Sequence, residues 1–452
     1  MKKISYLLSV FSLFAIMSCE KDTLCDDKTC PAGTVLSADC FCVEIASECT
    51  TTCAEGEVLD INCNCVNTVQ APEPETKSGL ITADETWTND RVYFIGGKVV
   101  VSDGVTLTIE AGTIIKGNPG EGSLASALIV ARGGKLNAVG TAENPIIFTT
   151  SEDNIALGQK AGTNLPDETE EGQGRWGGLI ILGKAPISVE VGTEAQIEGI
   201  PADEIYGRYG GDDVADNSGH LEYISIRHGG VTIGANNEIN GLTLGGVGNG
   251  TIIKNIEVTN TADDGIEFFG GSVNVENALV WSQGDDAYDV DQAYSGTVTN
   301  FIYIAGNNSD HGLEIDGPEG STNSDGKFTM TKGSLKYKTA ELADFRDNAK
   351  GAVTDSYFFN FTENADFELD DINTSNNYYA GDLVFTGNQF NLSTANVEFA
   401  ALFKDTANDE KAAEFKTKMT TDNSAVETKT VGATVADFSW TYAAGKNALT
   451  GF

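Results

Sequence analysis

The chain has 452 residues, and its 67 acidic and 28 basic side chains give a net charge of −39. A surface with this charge repels nucleic acid and anionic lipid headgroups, and it favours cations and neutral or basic partners. The sequence also lacks a P-loop, a Rossmann glycine pattern and a zinc-protease signature, so no nucleotide cofactor and no zinc-protease chemistry is predicted.

The N-terminus has the features of an export signal. Lys2 and Lys3 precede an uncharged apolar run over residues 4–17, which is too short to span a bilayer but suits a secretory signal core. Ser18 before Cys19 resembles the lipobox of bacterial lipoproteins, which implies a signal peptide over residues 1–18 and acylation of Cys19. The run Glu20-Lys21-Asp22, with two acids after the cysteine, resembles the signal for display on the outer face of the outer membrane, and a periplasmic location is the alternative.

All nine cysteines lie before residue 66, and eight of them form two similar modules, KTCPAGTVLSADCFCV and TTCAEGEVLDINCNCV. An even number of cysteines in an exported chain predicts disulfides, and modules this small need crosslinks for stability. We predict two disulfides within each module, with the connectivity left open, and interpret residues 19–65 as a lipidated stalk. Zinc binding is the alternative. The eight cysteines are Cys25, Cys30, Cys40, Cys42, Cys49, Cys53, Cys63 and Cys65.

Residues 66–79 contain Pro72-Glu73-Pro74-Glu75 and are predicted to be an extended linker. From residue 80 the chain is rich in glycine and in short Val/Ile segments separated by turns, which predicts a body of β-strands over residues 80–395. Residues 152–174 are polar and are predicted to form a loop. Apolar residues spaced among charges over residues 400–419 predict an amphipathic helix that caps the body, within a C-terminal cap and tail over residues 396–452.

The centre of the chain contains one pattern three times. Residues 263–268 (DDGIEF) align with 285–290 (DDAYDV) and with 310–315 (DHGLEI), at steps of 22 and 25 residues. A repeat of this length built from short strands and turns predicts a solenoid, and the fold class is therefore all-β, a right-handed parallel β-helix.

Strand alternation assigns the side chains to faces. Ile266, Tyr288 and Leu313 are predicted to stack inside, together with Phe268, Val290 and Ile315. Glu267, Asp289 and Glu314 are then predicted to stack outside on coils that lie about 4.8 Å apart. Two carboxylates at that spacing repel by roughly 3 kcal/mol at an effective dielectric constant near 20. The stack therefore predicts a compensating group, and calcium held by these three residues with Asp291 and Asp316 is the expectation.

Several phrases between residues 105 and 316, among them TLTIEAGTIIKG, RWGGLIILGKAPI and ADDGIEFFGGSVNV, resemble a family of β-helix surface lipoproteins of Gram-negative bacteria. The resemblance covers about half of the chain. It implies the solenoid fold and a place on the cell surface, and it implies no established activity.

The repeats also resemble the polygalacturonases and related pectin hydrolases, which place NTDG, GDD and GHG on successive coils. Here the corresponding phrases are NTADDG, GDD and DHG. The resemblance implies Asp264, Asp285 and Asp286 as catalytic carboxylates and His311 as a positioning group. Arg346 would bind the substrate carboxylate, although it stands in FRDN where that family has RIK.

Three functions are compatible with this pattern. The first is a lipid-anchored surface protein whose acidic face binds a glycan or another surface component, with calcium. The second is a glycoside hydrolase acting on an acidic polysaccharide. The third is a non-catalytic subunit of an outer-membrane protein complex, because a long solenoid face suffices for docking.

Overall fold

The computed structural model describes residues 34–36, 42–44, 53, 57–59, 65–67, 72–234, 237–320, 323–338 and 341–452. The chain divides into two compact units, Met1–Ala71 and Pro72–Phe452. Within the described residues, none of the helices has the length and apolar character that crossing a membrane requires.

The first unit contains two antiparallel hairpins, one in each cysteine module. Strand β1 (Thr34–Leu36) pairs with β2 (Cys42–Glu44), and β3 (Glu57–Leu59) pairs with β4 (Cys65–Asn67). Cys53 is disulfide-bonded. The predicted signal peptide, Cys19 and the other predicted disulfide pairings lie outside the described residues.

The second unit is a parallel β-helix. It has 30 described strands, of which 26 form one continuous hydrogen-bonded network. In chain order its strands are β5 (Glu75–Ile81), β6 (Glu85–Trp87), β7 (Val92–Val101), β8 (Thr106–Ile109), β9 (Ile114–Gly117), β10 (Ala127–Val130), β11 (Lys135–Val139), β12 (Ile146–Thr150), β13 (Leu179–Leu182), β14 (Glu194–Gln196), β15 (Arg208–Gly210), β16 (Gly219–Arg227), β17 (Thr232–Gly234), β18 (Asn237–Glu238), β19 (Leu242–Gly245), β20 (Ile252–Thr259), β21 (Ile266–Phe269), β22 (Asn274–Trp281), β23 (Tyr288–Asp291), β24 (Thr297–Ile304), β25 (His311–Asp316), β26 (Phe328–Lys336), β27 (Glu341–Arg346), β28 (Gly351–Thr354), β29 (Tyr357–Phe359), β30 (Phe367–Leu369), β31 (Leu383–Thr386), β32 (Gln389–Phe390), β33 (Phe403–Asp405) and β34 (Ser424–Ala425).

The part of the chain that the structure describes contains three α-helices, α1 (Ile372–Ala380), α2 (Ala412–Asp422) and α3 (Tyr442–Gly445). Short 3-10 turns lie at Gly122–Leu124, Glu170–Gly172, Ile205–Gly207, Phe399–Leu402 and Val435–Phe438. Strands β14 and β15, and strands β17 and β18, form separate antiparallel pairs outside the continuous network.

Each central coil consists of one long bent strand and one short strand. The long strands β20, β22 and β24 bend at Asn255, Asn277 and Asn300, which have φ of 53°, 59° and 57°. Asparagine tolerates this left-handed conformation better than most residues. The three amides also stack, because Asn277 donates to Asn255 at 2.8 Å and Asn300 donates to Asn277 at 2.5 Å. The bends therefore recur in register from coil to coil.

The predicted inner stack is confirmed. Ile266 pairs with Tyr288 and Tyr288 with Leu313, and all three side chains are fully buried in the main core. The Tyr288 hydroxyl has two backbone carbonyls within hydrogen-bond distance to which it can donate, those of Ala278 at 3.0 Å and Ile302 at 2.9 Å. A tyrosine is tolerated inside the coil because its one polar group has partners there.

The solenoid begins earlier and ends later in the chain than the sequence predicted. Strand β5 begins at Glu75, inside the segment predicted as a linker, because its residues pair in parallel with β7. Parallel pairing also continues past residue 395, since β33 pairs with β30 and β34 with β32. The loop predicted over residues 152–174 is confirmed, because it contains only a 3-10 turn between β12 and β13.

The prediction of a helix over residues 400–419 was wrong about where the helix begins. Leu402 ends a 3-10 turn, Phe403 begins β33, and the helix α2 starts only at Ala412. Phe403 pairs with Phe367 of the preceding coil and is fully buried, so pairing with that coil overrides the local helical pattern. Phe415 and Met419 of α2 do face the core, as predicted.

Candidate functional site

One outward-facing column of side chains runs along the short strands through the whole solenoid. Each member pairs with the next in parallel register, and the column changes character along its length. It begins with four apolar residues, continues through one threonine and five acids, and ends on a lysine. Its members are Leu80, Val100, Ile129, Ile180, Thr243, Glu267, Asp289, Glu314, Asp344, Glu368 and Lys404.

An insertion over residues 183–218, which contains β14 and β15, covers much of the apolar part of this column. Its Ile187, Val189 and Tyr209 pack with Ile129 and Ile180 in a separate apolar cluster. Burial of apolar side chains on the outer face of the sheet is favourable only because the insertion covers them. The insertion therefore defines one wall of the acidic stretch that follows.

The same insertion reaches over the first acids. The backbone N–H of Ser188 donates to the carbonyl of Gln292 at 3.0 Å, and a side chain at Gly320 would collide with the carbonyl oxygen of Val189. Glu267 and Asp289 are consequently only 6% and 8% exposed. The predicted register and outward placement of the acidic stack are confirmed, and a loop distant in sequence covers Glu267 and Asp289.

A second column lies three residues before the first on each coil and consists of Asn240, Asp264, Asp286, His311 and Glu341. It is connected by hydrogen bonds along the solenoid axis. Asp264 accepts from the backbone N–H of Asp286 at 2.9 Å, and Asp286 accepts from the backbone N–H of His311 at 2.7 Å. The His311 ring is also 2.8 Å from Asp286 and 3.6 Å from Glu341.

The described residues contain three groups whose ligand atoms lie within 4.8 Å of one another, and two of these groups consist entirely of residues from the two columns. The fully buried group is Asp264, Glu267 and Asp289. The other two groups are Asp286 with His311 and Glu314, and Asp263 with Asp264 and Asp285. Asp291 and Asp316 flank the first column, as the sequence predicted, because each lies two residues after a column acid.

Burial and mutual repulsion shift the pKa values of these acids upward. Burial, and then the charges of neighbouring acids, raise the pKa of Asp264, Glu267 and Asp289 well above the ordinary range. Burial and a hydrogen bond with Asp286 raise the pKa of Glu314 to about 9, and burial raises that of Asp344 to about 6. Ionised together, these groups require a positive partner.

In the pair of His311 and Asp286, each side chain stabilises the charged form of the other. Burial alone would lower the pKa of His311, but the hydrogen bond and charge of Asp286 raise it to about 10. Burial alone would raise the pKa of Asp286, but hydrogen bonds with His311 and Glu314 lower it. The two side chains therefore form an ion pair at neutral pH, in which the positive charge of His311 offsets the negative charge of the buried Asp286.

Arg346 lies beside the third and fourth acids of the outer column, Glu314 and Asp344. Its guanidinium contacts Glu314, lies 2.7 Å from Asp316 and lies 3.7 Å from Asp344. These contacts place it among the chain's own carboxylates, whereas the hydrolase resemblance implies a clamp for a carboxylate of the substrate.

Asp289 has a feature that the other members of the buried group lack. Its Oδ1 is inaccessible to solvent and has no hydrogen-bond partner within the described part of the chain. A buried, unsatisfied carboxylate oxygen is costly. Calcium binds six to eight oxygen ligands and accepts carboxylates, so Asp264, Glu267 and Asp289 fit this ion as a partial ligand set.

A family model described as a pectate-lyase-like beta helix domain matches residues 79–443. The chain belongs to this family. Comparisons with curated proteins and with solved structures found no match.

The predicted catalytic residues of this pectate-lyase-like β-helix differ in their exposure to solvent. Asp264 and Asp286 are 7% and 2% exposed and accept backbone hydrogen bonds, whereas Asp285 is exposed at a corner. The family match supports the weaker resemblance to pectin hydrolases. It does not assign roles to these residues.

Sequence reasoning missed Asn240, Glu341 and Asp344 of the two columns and Glu198 of the insertion. Asp344 continues the outer column, and Asn240 donates to Glu267 and, at 3.4 Å, to Glu198 of the insertion. Asp344 could have been found by extending the repeat, because ELADFR aligns with HGLEID at a step of 30 residues. Glu198 could not, because it lies in an irregular insertion outside the repeat.

Proposed function

We propose that the acidic columns bind calcium and, through it, a polysaccharide or another surface component. The observation that supports this most directly is the buried Oδ1 of Asp289, which has no partner in the described part of the chain and lies in one group with Asp264 and Glu267. A bound divalent cation supplies the positive charge that this group lacks.

The exposed continuation of the column gives a ligand access to the site. Glu314 and Asp344 have side chains that are 14% and 15% exposed, and Arg346 beside them is 35% exposed. Hydroxyl groups of a sugar can accept from Arg346 and form hydrogen bonds with these carboxyl groups. The membership of the pectate-lyase-like β-helix family fits a role connected with polysaccharides.

Thermal unfolding with and without calcium tests the cation site. We expect calcium to raise the melting temperature of the wild type, because it binds only the folded arrangement. Asp289→Asn should remove most of this increment. Glu276→Gln removes one charge from an exposed position on the same coil and serves as the matched control, so it should keep the increment. Melting that ignores calcium in the wild type would contradict the proposal.

A glycoside hydrolase is the second candidate. It is favoured by Glu314, whose pKa of about 9 keeps it protonated at neutral pH, as a general acid requires. Asp264 and Asp286 argue against it, because both are buried and bound to the backbone.

Product release decides between binding and hydrolysis. If the protein is a hydrolase, Asp285→Asn should abolish sugar release from acidic polysaccharides with melting nearly intact. Asp286→Asn should abolish it as well, but at a cost in stability, because His311 loses its ion-pair partner. We expect instead that the wild type releases no sugar while still binding in a calcium-dependent way. If neither calcium nor any polysaccharide binds, the third candidate remains, a docking subunit of an outer-membrane complex.

We also propose that Cys19 is acylated and that the protein faces the exterior from the outer membrane. The apolar run before Cys19 and the small residue at position 18 support this. Cys19→Ala should shift the protein from the detergent phase to the aqueous phase, or leave it uncleaved. A variant that is processed and retained in membranes like the wild type would contradict the lipid anchor.

A further inference from the structure

A polar cavity lies on a different face of the solenoid from the acidic columns, where the C-terminal tail packs against the coils. Its volume is about 300 Å³, at the lower end of the range for small-molecule sites. Three lysines, one acid and two amides supply its charged and hydrogen-bonding groups. These residues define the lysine pocket and are Lys336, Lys338, Lys446, Glu168, Asn360 and Asn447.

The position of Lys336 sets this pocket apart from its surroundings. Trp281, Ile304, Lys336 and Phe359 are outward neighbours on four successive coils. The lysine thus interrupts an otherwise apolar series. Trp281 and Ile304 are covered by the tail, whose Tyr442 packs in the same apolar cluster. The tail therefore forms one wall of the pocket, and the coils form the other.

The charges in the pocket are unusual for this chain. Lys338 lies 2.8 Å from Glu168, and Lys446 lies 2.9 Å from Asp167 behind the pocket. Lys336 instead donates to the backbone carbonyl of Thr450 at 2.8 Å. Even with Asp167 included, three lysines face two acids, so the pocket is positive in a chain with a net charge of −39.

The environment of Lys336 indicates the charge of a ligand that would bind in the pocket. Burial lowers the pKa of Lys336, Glu168 raises it and the nearby Lys338 lowers it further. A partly desolvated ammonium group beside a second one is stabilised by an anion that accepts hydrogen bonds from both. A cation or a positively charged group would be repelled.

We propose that the lysine pocket binds an oxyanion, such as the carboxylate of an acidic sugar. The site lies on a different face from the acidic columns and needs no calcium, so it stands or fails independently of the proposed function. The carboxylate of a uronic acid residue and a free inorganic anion share this chemistry, and the experiment distinguishes them.

Calorimetric titration tests the pocket on protein that has been treated with EDTA and then dialysed into buffer free of calcium and chelator, because this treatment removes any calcium-dependent binding at the acidic columns. The probes are a galacturonate trimer, maltotriose as a neutral sugar of the same length, and inorganic sulfate. We expect the galacturonate trimer to bind and maltotriose not to bind. Lys336→Gln should weaken the binding at least about tenfold, the effect of one lost charged hydrogen bond.

Two further variants make the result specific. Lys338→Gln leaves Glu168 without its lysine and should also weaken binding, whereas Lys411→Gln removes an exposed charge on the distant α2 region and should change nothing. Equal melting temperatures show that the variants fold. The proposal is overturned if maltotriose binds as well as galacturonate, or if Lys336→Gln binds like the wild type. Sulfate binding with the same lysine dependence supports the site and assigns it to a free anion.

Discussion

One carboxylate oxygen of Asp286 accepts a hydrogen bond from the backbone N–H of His311 at 2.7 Å and lies 2.8 Å from the Nδ1 of its ring. The two residues stand on consecutive coils at equivalent positions. The contact therefore joins two coils and also sets the ionisation of both side chains. Glu314, on the same strand as His311, shares a further hydrogen bond with Asp286.

This arrangement predicts a dependence of stability on pH. The pKa of His311 is about 10 in the folded state against an ordinary 6.5, so its contribution is complete below pH 6.5 and is lost as pH rises through about 10. Glu314 has a pKa of about 9 against 4.5, so folding keeps a proton that the unfolded chain releases above pH 4.5. Both effects reduce stability as pH rises from 6.5 to 9, by up to about 1.4 kcal/mol per pH unit for each group.

Thermal unfolding in a calcium chelator across that pH range checks this expectation. The melting temperature should fall with rising pH in the wild type. Glu314→Gln stays neutral at every pH and should flatten the slope. A wild-type slope of zero, or a rising one, would show that these groups are not ionised as described.

The inner stack predicts a large effect of charge on the face opposite the acids. Leu313→Asp places an unpaired carboxylate in the fully buried stack and should cost more than about 4 kcal/mol, or prevent folding. Thr329→Asp adds the same charge at a partly exposed position of β26 and should cost less than about 1 kcal/mol. Similar denaturation midpoints for the two variants would contradict the assignment of faces.

The C-terminal tail is attached through a buried acid. Glu257 accepts from the backbone N–H groups of Tyr442 at 2.9 Å and Ala443 at 2.8 Å, and from the Ser225 hydroxyl at 2.6 Å. Arg227 donates to the same hydroxyl at 2.8 Å, and its guanidinium lies 4.2 Å from the centre of the Tyr442 ring. Burial lowers the pKa of Arg227, and the charge of Glu257 opposes that shift.

Glu257→Gln should therefore destabilise the protein by about 3–5 kcal/mol, because it leaves Arg227 buried without its nearest opposite charge. Glu222→Gln changes a partly exposed ion pair on the same strand as Arg227 and should cost no more than about 1 kcal/mol. Chemical denaturation measures both costs, and limited proteolysis shows whether the tail is released first. Equal costs would mean that the tail is held mainly by its apolar contacts.

The cysteine modules predict four disulfides, two within each module, because the duplicated sequence indicates two independently closed units. Peptide mapping without reduction should find no bridge between the modules. Reduction should leave the melting of the β-helix unchanged, since residues 66–452 contain no cysteine. Free thiols or bound zinc in stoichiometric amount would contradict the stalk.

The sequence predicted the part of the site that repeats. The alignment of Asp264, Asp286 and His311, and of Glu267 with Asp289 and Glu314, follows from strand alternation and a fixed period, and the pairing register agrees with it. These relationships are local to each coil, so a pattern of residues determines them.

The covering of the site could not be predicted in this way. Ser188 and Gln292 are more than a hundred residues apart, and Glu198 lies in an insertion that has no periodicity. Arg346 was predicted to bind a substrate carboxylate, and its contacts with Glu314 and Asp316 of the preceding coil and with Asp344 of its own strand were not predicted. Such contacts depend on how an irregular segment folds back, and alternation gives no information about that.

The outer column also shows how the solenoid accommodates changes in its own length. Glu267, Asp289, Glu314, Asp344 and Glu368 are separated by 22, 25, 30 and 24 residues, yet each pairs with the next. The extra residues lie in the corners, outside the paired strands. Duplicating one whole coil should therefore lengthen the acidic column by about 4.8 Å without disturbing its neighbours. The length of this surface can vary among related chains independently of the fold that supports it.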